Sequence, residues 1–261
     1  MKTGSIYSEI KGTGDAIVFI HGFTLDHRIW NEQVKLFSRN YQTLSYDMRG
    51  FGKSLVPHKP YSHHNDLRDI LEFNKIKKAH IVGLSLGGEV AIDFTLTYPE
   101  FVLSLVIADS SLGGYASTVD WRVFAKEQGI DKAKKNWMNH EVFKTTWENS
   151  TVLKELETIV SGYSGWHWLN NDMKEKLSMP ALSRLQEILV PTLIITGEND
   201  LPYFQTIADI LHKGIKNSQK KVIIGAGHMS NMEKPEEFNR ILWDFIEGRT
   251  LKGATLGIIS L

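Results

Sequence analysis

The sequence predicts an α/β protein: a mostly parallel sheet with helices on both faces and a helical cap inserted between two of its strands. Three observations carry this. Short β-rich runs alternate with helical patterns along most of the 261 residues, the order a parallel sheet needs because its crossovers are helices. The alternation stops between residues 112 and 189, where helical patterns hold five of the seven tryptophans (Trp121, Trp137, Trp147, Trp166 and Trp168). Finally, HIVGLSLGGEVAIDF, residues 80–94, passes from an apolar run to an amphipathic helix through a serine boxed by glycines.

The elements follow in order. AIVFI (16–20) reads as a buried strand running into His21-Gly22, and YQTLSYD (41–47) as a second ending in the glycine-rich loop DMRGFGKS. AHIVGLS (79–85) leads into a helix from about Leu86 to Tyr98, which Pro99 stops. VLSLVIADSS (102–111), PTLIITGEND (191–200) and KKVIIGAGH (220–228) supply three more strands. The last helix, Pro235–Glu247, opens on proline and carries Phe238, Ile241, Leu242 and Phe245 at helical spacing. Residues 1–111 and 190–261 are thus the expected core, and 112–189 the expected cap. Within the cap, SGYSGWHWLNND (161–172) lacks helical spacing and reads as a loop near a pocket mouth. The apolar tail after Arg249 has no firm reading.

Composition narrows the functional classes. Hydrophobic residues make up 42% of the chain, enough for a sizeable core. Thirty basic residues balance thirty acidic ones, so no overall field draws nucleic acid or an anionic membrane. There is no cysteine, which removes disulfides, thiolate metal sites and cysteine nucleophiles. The opening MKTGSIYSEIKGTGD has no apolar core of a signal peptide, and no run approaches a bilayer-spanning length, so a cytoplasmic protein is expected.

In an open parallel sheet, functional groups gather beyond the C-terminal ends of the strands. There stand His21-Gly22-Phe23, Asp47, Ser85, Asp109, Asp200 and His228. Gly83 and Gly87 flank Ser85 in the pattern G-x-S-x-G, which can hold a nucleophilic hydroxyl at the tip of a strand–turn–helix elbow. A serine, an acid and a histidine therefore share one rim in the order Ser, Asp, His. His63 and His64 open a helical segment, are expected to be solvated, and lack a third partner at metal-ligand spacing. Asp47 with Arg49 is expected to pin the glycine loop, whose RGFGKS lacks the spacing of a phosphate cradle.

HGF (21–23), DMRGFGKS (47–54), GLSLGG (83–88), TGENDLP (196–202) and GAGHMSNMEKPEEF (225–238) together resemble the α/β-hydrolase superfamily, in its cofactor-free serine esterase and lactonase branch. The likeness covers the chain except the cap and the tail, and implies the α/β-hydrolase fold. It implies Ser85 as nucleophile, His228 as base and Asp200 as the acid that orients it. Asp109 also follows a strand and remains the alternative acid; TGENDLP favours Asp200. The resemblance further implies an oxyanion hole from the backbone N–H groups of Phe23 and Leu86, with His21 shaping that loop. No cofactor and no metal are expected.

Relatives that displace halide or open epoxides carry aspartate at the elbow, so Ser85 points instead to attack on a carbonyl. A small or medium neutral carboxylic ester or lactone is the expected substrate. Trp121, Trp137, Trp166 and Met229 are candidates for the pocket wall. The alternatives are carbon–carbon bond hydrolysis, perhydrolysis or a lyase reaction by the same residues, or a ligand receptor with little turnover. Oligomeric state is left open.

Overall fold

A computed structural model describes residues 2–3, 6–115 and 121–248. The strands are β1 (Lys2–Thr3), β2 (Ile6–Lys11), β3 (Ala16–Ile20), β4 (Gln42–Tyr46), β5 (Ala79–Leu84), β6 (Val102–Ala108), β7 (Thr192–Gly197) and β8 (Ser218–Ile223). Among the described residues they form one sheet in the order β1-β2-β4-β3-β5-β6-β7-β8. All pairs from β4 to β8 are parallel, while β1 and β2 join antiparallel at one edge. The six predicted strands are all present. The antiparallel pair is an addition, since β2 buries alternate residues and so lacks the unbroken apolar run of a central strand.

Alternation along the central strands sends side chains to two cores. Val18, Ile20, Ile81, Leu105 and Ile107 face one, with Leu67 and Ile70 of α2 (His63–Phe73), Phe94 of α3 (Leu86–Thr97) and Ile207 of α8 (Pro202–Gly214). Ile17, Phe19, Val82 and Val106 face the other, with Val34 and Phe37 of α1 (Asn31–Phe37) and Phe238 and Leu242 of α10 (Pro235–Ile246). This two-faced covering is the fold predicted for the chain.

Between β6 and β7 the described residues hold α4 (Trp121–Gln128), α5 (Ile130–Met138), a 3₁₀ helix at Glu141–Glu148, α6 (Ser150–Gly162), α7 (Trp166–Leu169) and two short 3₁₀ turns. The short helix α9 (Ser230–Glu233) precedes α10. The reading of 161–172 as a loop needs correction: Ser161 and Gly162 end α6 and Trp166–Leu169 make a further helical turn. Tyr163 and Trp168 there are buried, because they pack on Phe23 and the Phe51 loop. No helix among the described residues is long and apolar enough to cross a membrane. The tail beyond Gly248 lies outside the described residues.

Candidate active site

Ser85 occupies the single residue between β5 and α3, with φ 57° and ψ −118°. That backbone is costly for any residue with a Cβ and persists only where its surroundings enforce it. The enforcement comes from close contacts: a Cβ on Gly83 would lie 2.1 Å from the Gly87 carbonyl oxygen, and one on Gly87 2.2 Å from that of Ile20. Only glycine allows strand and helix to approach this closely. The Leu86 N–H opens the first turn of α3, so the helix leaves it without an internal acceptor.

The loop after β3 lies against this corner, for a Cβ on Gly22 would fall 3.2 Å from Ser85 Cβ. His21 anchors it. Its Nε2 accepts from the Met48 N–H at 2.9 Å, so Nδ1 carries the proton and donates to the Gly22 carbonyl at 2.7 Å. Thr24, at φ 63°, donates to the Phe23 carbonyl at 2.6 Å and accepts from Trp137 Nε1 at 2.7 Å.

His228 and Asp200 are both buried beyond β8 and β7. His228 Nδ1 lies 3.0 Å from Asp200 Oδ2 and 3.2 Å from Oδ1. Oδ1 also accepts from the Leu201 N–H at 2.7 Å, and the Phe204 ring covers the imidazole at a centroid distance of 4.1 Å. Asp109 faces elsewhere. Its Oδ1 accepts from Gly197 N–H and its Oδ2 from Ser230 Oγ. Complete burial pushes its carboxyl well above the usual range; the Asp200 charge adds to this, and the two hydrogen bonds oppose it.

Ser85 and His228 line one cavity, whose other walls include Phe23, Leu25, Trp137, Val142, Phe143, Phe204 and Met229. No lysine, arginine or carboxylate lines it among the described residues. Of the predicted wall residues, Trp137 and Met229 are there. Trp166 is half-buried with its ring against His167 and does not line the cavity, and the Trp121 side chain lies outside the described residues. The sequence reading missed Thr24, Val142, Phe143 and Phe204. Phe204 had a signal, four residues past the acid in NDLPYF, whereas Val142 and Phe143 sit in a pattern indistinguishable from helix core.

Two further expectations are corrected. Asp47 does pin the glycine loop, accepting from the Lys53 N–H as well as from the His27 N–H and His27 Nδ1, but Arg49 pairs instead with Asp66 of α2. His63 is buried rather than solvated, and burial holds its pKa well below the usual histidine value. Asp26, His27 and Asp47 lie close enough together to chelate an ion, but the Asp26 oxygens hold the Arg28 side chain and those of Asp47 hold the donors just named.

Residues 17–241 match the model of the alpha/beta hydrolase family. The chain is 28% identical over 260 residues to 3-oxoadipate enol-lactonase 1 of Acinetobacter baylyi, covering 94% of both proteins. It is 29% identical over 268 residues to 2-hydroxy-6-oxononadienedioate/2-hydroxy-6-oxononatrienedioate hydrolase 2 of Pseudomonas putida, covering 92% of this chain and 91% of that one. Among solved structures it is similar to Est816, described as an N-acyl homoserine lactone degrading enzyme, with a TM-score of 0.80 and 28% identity over 92% of this chain and 96% of that one.

Proposed function

The chain belongs to the alpha/beta hydrolase family, and from that premise we propose that it hydrolyses small, neutral carboxylic esters or lactones through an acyl-enzyme on Ser85. The observation that carries the proposal is the pairing of His228 Nδ1 with the buried Asp200 carboxylate at the edge of an apolar cavity that Ser85 also lines. With Nδ1 donating to Asp200, the lone pair sits on Nε2, the nitrogen free to act as base.

Ser85 Oγ attacks the carbonyl carbon while His228 Nε2 takes its proton. Asp200 stabilises the resulting imidazolium and keeps the ring in register. The oxyanion is received by the N–H groups of Leu86 and Phe23, each worth about 2.7–4 kcal/mol of barrier by analogy with other hydrolases. Collapse expels the alcohol, or opens the lactone ring, with the proton returned by His228. Water activated by the same imidazole then releases the acid.

The cavity supports the substrate class. Its walls are mostly apolar and, among the described residues, offer no cation to a carboxylate. We read residues 112–189 as a cap that roofs it, through Trp137, Val142 and Phe143. Similarity to a P. putida hydrolase of dioates keeps carbon–carbon bond hydrolysis as a second reading of the same side chains, which the lack of a lining cation among the described residues disfavours.

Hydrolysis of p-nitrophenyl esters from acetate to octanoate, with Ser85→Ala as control, tests the proposal. Steady turnover with a short-chain optimum, abolished in the variant, is the expected result. Equal activity in the variant would remove Ser85 as nucleophile.

A further inference from the structure

The backbone on both sides of His228 is held by one side chain. Glu233, at the end of α9, accepts from the Gly227 N–H at 2.6 Å through Oε2 and from the Met229 N–H at 3.2 Å through Oε1. The carboxylate thus brackets the imidazole-bearing residue. Its Oε1 also accepts from Thr145 Oγ1 at 2.9 Å, and Thr145 belongs to the 3₁₀ helix Glu141–Glu148 of the inserted segment. The approach is close: a Cβ on Gly227 would fall 2.0 Å from Thr145 Oγ1, so the threonine seats on that peptide only because residue 227 is glycine.

These groups do not serve to fill a core. Glu233 and Thr145 are only half-buried, and a carboxylate here adds to the cost of ionising the buried Asp109. A carboxylate kept near another buried carboxyl and engaged in three hydrogen bonds acts on orientation rather than on packing. The same 3₁₀ helix also supplies Val142 and Phe143 to the cavity wall. One short element therefore touches both the space for the acyl group and the support of the base.

We propose that Glu233 is a positioning residue for His228, and that Thr145 ties this positioning to the seating of the cap, so that the imidazole is fully aligned only while the Glu141–Glu148 helix lies on the 227–229 backbone. The proposal rests on the reading of Ser85 and His228 as nucleophile and base. Contact of an acyl group with Val142 and Phe143 steadies the helix that carries Thr145, so binding and alignment of the base reinforce one another.

The test compares Glu233→Gln, Thr145→Val and Thr145→Ser in p-nitrophenyl butyrate kinetics, in labelling of Ser85 by a fluorophosphonate, and in NMR titration of the His228 ring. Glu233→Gln, with one acceptor oxygen in place of two, is expected to lower kcat about 30-fold with KM within about twofold, as small misplacements of a catalytic group do. Thr145→Val should lower kcat about fivefold, the size of one lost hydrogen bond, while Thr145→Ser keeps the hydroxyl and stays within about twofold of the unaltered protein. The His228 titration should move in Glu233→Gln and Thr145→Val and stay put in Thr145→Ser. Equal behaviour of the valine and serine variants, or an unaltered kcat and titration in Glu233→Gln, would overturn the proposal. If the unaltered protein neither turns over nor is labelled at Ser85, the hydrolase reading fails. The positioning role is then decided by the titration alone, which must still separate valine from serine at position 145.

Discussion

His228 turns its Nδ1 toward Asp200, 3.0 Å from Oδ2, although Asp109 stands buried at the end of the neighbouring strand with both oxygens given to Gly197 and Ser230. Two acids that each follow a strand are therefore separated by what each one faces.

On the proposed reading, Asp200→Asn should lower kcat by about 10⁴, as loss of the orienting acid does in serine triads, because the amide favours the wrong imidazole tautomer. Asp109→Asn retains an acceptor for Gly197 and should cost less than about tenfold. Steady-state kinetics of the two variants side by side decide the assignment, and a larger loss at Asp109 would reverse it.

Trp137 both walls the cavity and donates to Thr24, which in turn holds the Phe23 peptide. Trp137→Phe keeps most of the wall and removes the donor. A drop of about fivefold to tenfold in kcat, with the acyl-chain optimum unmoved, is expected from one lost hydrogen bond. Trp137→Ala opens the wall and should move the optimum toward longer chains. Chain-length profiles of both variants separate the two roles.

Among the described residues no cation lines the cavity, so an acyl chain ending in a carboxylate is expected to be bound unpaired or left in solvent. A succinate half-ester should be hydrolysed with kcat/KM at least about 100-fold below its dimethyl counterpart, given the cost of desolvating an unpaired charge. Comparable efficiency on both would bring back substrates of the dioate type.

His27 makes stability depend on pH. Burial opposes its protonation, but the hydrogen bond to Asp47 and the charges of Asp47, Asp26 and Glu9 outweigh this and raise its pKa. Its Nε2 lies 3.2 Å from Glu9 Oε1, so the protonated ring joins β2 to the loop after β4. A raised folded pKa means the contribution is complete below the unfolded value near 6.5 and disappears as pH climbs through the folded one. Urea unfolding of the protein and of His27→Gln should show a wider stability gap at pH 6 than at pH 9. A gap that widens with pH would show the ring to be neutral in the folded state.

By itself the sequence determined the central strands, the helix after Ser85, the glycine-boxed corner and the rim on which Ser85, Asp200 and His228 stand. These are local properties: runs of apolar residues, a proline stop at Pro99, and glycines where no Cβ fits. The sequence favoured Asp200 over Asp109, and only the tertiary structure showed that Asp200 meets His228 while Asp109 faces away, that Arg49 serves Asp66, that His63 is buried, that Trp137 walls the cavity while Trp166 does not, and that Glu233 links Thr145 to the 227–229 backbone. Each of these depends on where strands lie side by side and on how the inserted segment lands. The partners are tens of residues apart along the chain, and no local periodicity records which of two like side chains will face the other.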